Sequence, residues 1–135
     1  MLKLIIGLKG TGKTKTLIQM INASLDSTKG DVVCIEKGKK LTYDVKYQCR
    51  LVNADEFFIS DAQSLFGFAA GILASNHDVT DLYIDSALMI CGHDLASFDK
   101  FVAELADLSE KVGVNCVVAA AIDPADASNT VKKYI

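Results

Sequence analysis

A chain of 135 residues, half of them apolar and only one of them proline, can build one core but not two modules, and its composition excludes a disordered protein. A net charge of −3 argues against nucleic acid held by bulk electrostatics, and no apolar run approaches the length needed to cross a bilayer. The cysteines Cys34, Cys49, Cys91 and Cys116 lack C-x-x-C spacing and lie in or beside apolar runs, so they read as buried, reduced thiols of a cytoplasmic protein and not as a zinc site.

The chain opens on a short apolar strand, Leu2 to Ile6, followed by Gly7-Leu8-Lys9-Gly10-Thr11-Gly12-Lys13-Thr14. This run fits the phosphate-binding loop G-x-x-x-x-G-K-[ST] at every fixed position. From Lys13 to Leu25 the residues Leu17, Ile18, Ile21 and Leu25 share one helical face, so the motif has the strand–turn–helix setting that a bare match lacks. Glycines at 7, 10 and 12 let successive N–H groups turn toward an anion, and the helix N-terminus adds to that field. Lys13 is expected to reach the β- and γ-phosphates and the Thr14 hydroxyl to take a Mg²⁺ position, with Lys9, Thr11 and Lys15 completing the phosphate contacts. A ligand-free strand-to-helix turn would explain the glycines but not the Lys13-Thr14 pair.

Asp26 to Gly30 is a polar stop, and Val32 to Ile35 reads as a buried parallel strand ending at Glu36. After the Lys37 to Lys40 turn, Leu41, Tyr43, Val45 and Tyr47 alternate with polar residues, and Cys49 to Val52 reads as a further short strand. The segment 41–53 is therefore expected to be an antiparallel addition at the sheet edge. Ser60 and Gln63 suggest a capping box for a helix to about Ser75, in which Gly67 and Gly71 would allow close backbone packing. Asp81 to Asp85 is a strand ending in an acid. Asp94 caps a helix whose Leu95, Phe98, Val102, Leu105 and Leu108 form its apolar face, and Gly113 ends it. Val114 to Ile122 reads as a central parallel strand, Asp123-Pro124 as a cap with proline at the first helical position, and Val131 to Ile135 as a short helix or a strand.

Alternating strands and helices imply an α/β domain over residues 1–135, a mainly parallel sheet with helices on both faces. In such sheets ligands bind at the carboxyl ends of strands, where the loop, Glu36, Asp85 and Asp123 all fall. Asp85, at the end of Leu82-Tyr83-Ile84, has the placing of a carboxylate that could hold Mg²⁺ through a water opposite Thr14. The lysine turn reads as solvated, with attraction of phosphate or an acidic partner as its other reading, and His93 as a loop histidine or a γ-phosphate sensor.

These features resemble the P-loop nucleoside triphosphatase superfamily, strongly over Gly7 to Thr14 and weakly at Asp85. More narrowly, the opening loop, Cys34-Ile35-Glu36-Lys37-Gly38, Leu82 to Ser86 and the closing Val131 to Ile135 are similar to small bacterial proteins labelled twitching-motility or pilus-retraction ATPase-like. The resemblance implies a three-layer P-loop fold and Mg²⁺-dependent binding of a purine nucleoside triphosphate, with ATP the expected ligand. It also implies catalytic roles for Lys13, Asp85 and Glu36, the last placed where RecA-like members carry the water-activating glutamate. The chain departs from a retraction motor, having no room for that motor's extra N-terminal domain or its histidine and arginine motifs. Ser86 stands where many ATPases carry a glutamate, and Arg50, the lone arginine beside thirteen lysines, could act as a finger only across a subunit interface. Slow hydrolysis, or hydrolysis dependent on a protein partner or a second copy, is the expectation; a non-hydrolysing nucleotide sensor is the alternative.

Overall fold

The computed structural model describes residues 1–135. Five strands, β1 (Leu2–Ile6), β2 (Asp31–Glu36), β3 (Arg50–Asn53), β4 (Val79–Ile84) and β5 (Asn115–Ala120), form one sheet in the order β1-β5-β4-β2-β3. Every pairing is parallel. The helices are α1 (Lys13–Ser27), α2 (Ala62–Ser75), α3 (Ala87–Ile90), α4 (Leu95–Val112) and α5 (Asn129–Lys132), with 3-10 turns at Ala54–Phe57 and Pro124–Asp126.

Right-handed crossovers decide which face each connection covers. Connections advancing toward β3 pass over one face, and those returning toward β1 pass over the other. Side chains alternate accordingly. Val33, Ile35, Leu82, Ile84, Cys116 and Val118 join a buried cluster of 30 residues with α2 and α4, whereas Val32, Cys34, Tyr83, Val117 and Ala119 join a cluster of 10 with Leu17 and Ile21 of α1. The result is three layers, with the larger core beneath the α2 and α4 pair. No helix is long and apolar enough to cross a membrane, and all four cysteines are buried and free.

Several helix ends follow the sequence closely. Asp94 accepts from the amides of Ala96 and Ser97, and Gly113 closes α4 at φ 70°. Asp123 accepts from Ala125 N ahead of the Pro124 turn. Near the C-terminus a short helix, α5, covers only Val131 and Lys132 of the expected segment before a turn, and Tyr134 O then accepts from Leu4 N at 2.7 Å along the free side of β1.

Three expectations are corrected. The capping box of α2 is Asp61 with Ser64, one residue beyond Ser60 and Gln63. Asp61 Oδ1 accepts from Ser64 N at 2.7 Å and Ser64 Oγ from Asp61 N at 3.2 Å. Gly67 and Gly71 are solvent-facing, and a Cβ on either would meet nothing within 4 Å, so they do not mediate close packing.

The sheet also has no antiparallel edge. Residues 37–49 are turns, and β3 runs parallel to β2, with Cys34 opposite Leu51. The apparent alternation hides a four-residue spacing: Leu41 and Val45 are buried beneath the crossover with Cys49, while Tyr43 and Tyr47 are 97% and 91% exposed. A parallel partner requires a crossover, and here turns do the covering that a helix usually does. Asn22 of α1 pins it, donating to Asp44 O and accepting from Lys46 N.

Two predictions follow from these corrections. Leu41→Ala should cost about 2–5 kcal/mol and Tyr43→Ser no more than about 0.5 kcal/mol, measured by urea unfolding; equal losses would restore the alternating strand. Gly67→Ala and Gly71→Ala should each raise stability by about 0.5–1 kcal/mol, and a loss at either would mean that its Cβ meets a neighbour.

Candidate functional site

The strand order sets up the site. Strand β5 lies between β1, which leads into the glycine loop, and β4, which leads into Asp85. β5 ends in Ala119-Ala120, with Ala121 just beyond, and these small side chains leave a space that the flanking loops overhang. A cleft of about 710 Å³ opens there, lined by Lys9, Gly12, Lys13, Thr14 and Lys15 on one side and by Lys40, Asp85, Ser86, Met89 and His93 on the other, over Ala119 and Ala121. That volume lies within the range of small-molecule sites. A smaller hollow of about 340 Å³ flanks the loop against Pro124.

The loop conformation depends on its glycines. A Cβ at Gly7 would come within 2.5 Å of Thr11 Oγ1, and Gly12 enters α1 at φ 85°, a left-handed angle that a side chain would strain. Inside the turn, Leu8 O accepts from Thr11 N at 3.2 Å, Thr11 Oγ1 at 2.7 Å and Lys13 Nζ at 2.9 Å. By contrast, the main-chain N–H groups of Lys9, Gly10, Gly12, Lys13, Thr14 and Lys15 donate to no protein acceptor. Six orphan donors within seven residues, on a wall of the cleft, are what an anion would satisfy.

Across the cleft Asp85 is buried. Its amide joins the sheet through Ile35 O at 2.9 Å, and its carboxylate oxygens lie 3.4 and 3.5 Å from Thr14 Oγ1. Burial pushes its pKa up; the Ser86 amide, the Thr14 hydroxyl and the charges of Lys40 and Lys13 pull in the opposite direction. Thr14 and Asp85 are near enough that both would serve one Mg²⁺, the hydroxyl directly and the carboxylate through a water. No three His, Cys, Asp or Glu side chains are placed to hold a metal by themselves. Mg²⁺ that sits on phosphate oxygens and water needs only one or two protein ligands, so the donors present suit that mode. Ser86 and His93 take positive φ, 57° and 60°, bracketing the α3 segment that walls the cleft. Non-glycine residues held there carry strain, of a kind that gathers at ligand sites.

Glu36 is placed differently from its neighbours. It is buried at the end of β2, where Oε1 accepts from Lys40 N at 3.0 Å and Leu41 N at 3.3 Å, and it does not line the cleft. Burial raises its pKa, those two amides lower it, and the nearby Asp85 charge raises it again. Arg50 sits at the amino end of β3, opposite Val33, and so at the far end of the sheet from the loop. Lys40, read from sequence as part of a solvated turn with phosphate attraction as the other reading, is exposed and lines the cleft. A lysine run after a strand-end acid is a visible signal; which of its members turns inward is not.

No protein-family model matches the sequence, and a search of curated proteins finds no match.

The carboxyl of Asp85 is held above its ordinary 3.8. Its contribution to stability is therefore fully present below that value and is lost as pH rises through the raised one. Asp85→Asn should remove this loss. Compared at pH 4 to 7 without ligand, the variant should gain on wild type as pH rises, by about 3–5 °C in melting temperature per kcal/mol. A difference between variant and wild type that stays flat, or moves against the variant, from pH 4 to 7 would contradict the desolvation argument.

Proposed function

We propose that the protein is a P-loop-type, Mg²⁺-dependent nucleoside triphosphate-binding protein, with ATP the expected ligand and slow or partner-assisted hydrolysis. The observation that carries this reading is the run of six unpartnered amides facing the same cleft as Lys13, Thr14 and Asp85. In it the free amides of residues 9, 10 and 12–15 bind phosphate oxygens, and Lys13 exchanges Leu8 O for them. The Thr14 hydroxyl and the Asp85 carboxylate orient the metal end of the ligand. Bound Mg²⁺ would neutralise charge between phosphate oxygens. The resemblance implies water activation by Glu36, yet its engagement with the Lys40 turn favours a positioning duty, and no arginine lines the cleft. Both features favour binding over rapid turnover. They also support the second reading, a nucleotide sensor whose bound state a protein partner or another copy of the chain recognises.

Thermal melting with Mg-ATP or Mg-ADP tests the reading. Ligand at a hundredfold excess over Kd should stabilise by about 2.7 kcal/mol, or roughly 8–15 °C for a domain of this size. Lys13→Ala should weaken binding about tenfold to a hundredfold. An unchanged melting shift in that variant, or none in the wild type, would refute the assignment. Phosphate release at high protein concentration separates the two readings: turnover supports the enzyme, and tight binding without release supports the sensor.

A further inference from the structure

The three lysines after β2 have separate fates. Lys37 Nζ lies 2.7 Å from Asp55 Oδ1 and Lys39 Nζ 3.1 Å from Glu56 Oε1, so both charges are spent on the 3-10 turn that follows β3. Lys40 forms no ion pair, and its side chain lines the cleft opposite the loop. Its backbone is fixed from three directions. Glu36 Oε1 holds its amide, Asn53 Oδ1 accepts from Gly38 N at 2.8 Å, and the next residue, Leu41, is buried in the α1-side core. The cleft thus carries four lysines, Lys9, Lys13, Lys15 and Lys40, against the single carboxylate Asp85, in a chain whose net charge is −3.

Position decides what Lys40 would touch. Lys9, Lys13 and Lys15 come from the loop after β1, whereas Lys40 comes from the end of β2, beyond β5 and β4 in the sheet. A phosphate chain anchored on the loop amides and extending toward Asp85 meets Lys40 last. We propose that Lys40 contacts the terminal phosphate of a bound triphosphate and makes the site distinguish nucleoside triphosphate from diphosphate. The inference rests on the nucleotide-binding reading above. Two ion pairs, Lys37–Asp55 and Lys39–Glu56, steady the turn that presents it, and Glu36 acts as its positioning residue. A cation supplied from within the chain would thereby stand where the sequence offers no arginine.

Calorimetric titration of the full chain with Mg-ATP and Mg-ADP tests this. Lys40 is exposed and Lys40→Ala removes no buried contact; Lys40→Gln serves as the second neutral variant. Either should weaken Mg-ATP binding about tenfold and Mg-ADP binding less than twofold, Lys40→Arg should recover most of the loss, and Lys29→Ala, at an exposed lysine ahead of the amino end of β2, should change neither affinity. Wild-type binding with the same ATP to ADP ratio in the Lys40 variants, whether both affinities fall or neither does, overturns the Lys40 role and leaves the phosphate loop standing. Failure of the wild type to bind either nucleotide overturns both.

Discussion

Main-chain N–H groups that cannot find an acceptor inside the protein must face water or a ligand, and residues 9–15 concentrate six of them at one place. The surroundings are built to keep them there. Gly7 has no Cβ because Thr11 Oγ1 fills the space, and Gly12 supplies the left-handed turn into α1. Ala119 and Ala121 hold the floor low enough for the loop and Asp85 to face each other across it. Had β5 ended in large side chains, the same loop would have closed onto them.

The layers around this site divide the work. The 30-residue cluster under α2 and α4 supplies most of the burial, and it leaves the α1 face with a thinner core completed by Leu41, Val45 and Cys49 of the crossover. That crossover carries the lysine turn on its first residues, so packing beneath it fixes the far wall of the cleft. Stability on this face and the shape of the site are accordingly one problem.

Much of this was legible in the sequence, for identifiable reasons. The glycine loop, the acid after β4 and the caps at Asp94 and Asp123 are local: spacing of a few residues contains the physics, and the structure places them as expected. Segment 41–53 misled because Leu41, Tyr43, Val45 and Tyr47 satisfy a period of two, although only every second one of them is buried. Burial of that kind depends on α1 lying over the segment, which no local pattern records. Gly67 and Gly71 were misread for a similar reason, since four-residue spacing marks a face without saying whether that face meets a helix or water. Lys40 could not be told from Lys37 and Lys39 because Asp55 and Glu56, which occupy those neighbours, lie across the crossover from them.

The carbonyl of Leu8 is a surrogate guest. Accepting from Thr11 twice and from Lys13 once, it keeps an ammonium group gathered over the turn before anything arrives. An incoming oxygen would then not gain the whole strength of that lysine, only the difference between two acceptors, one neutral and one charged. Such a swap would favour the acceptor carrying more negative charge over one carrying less.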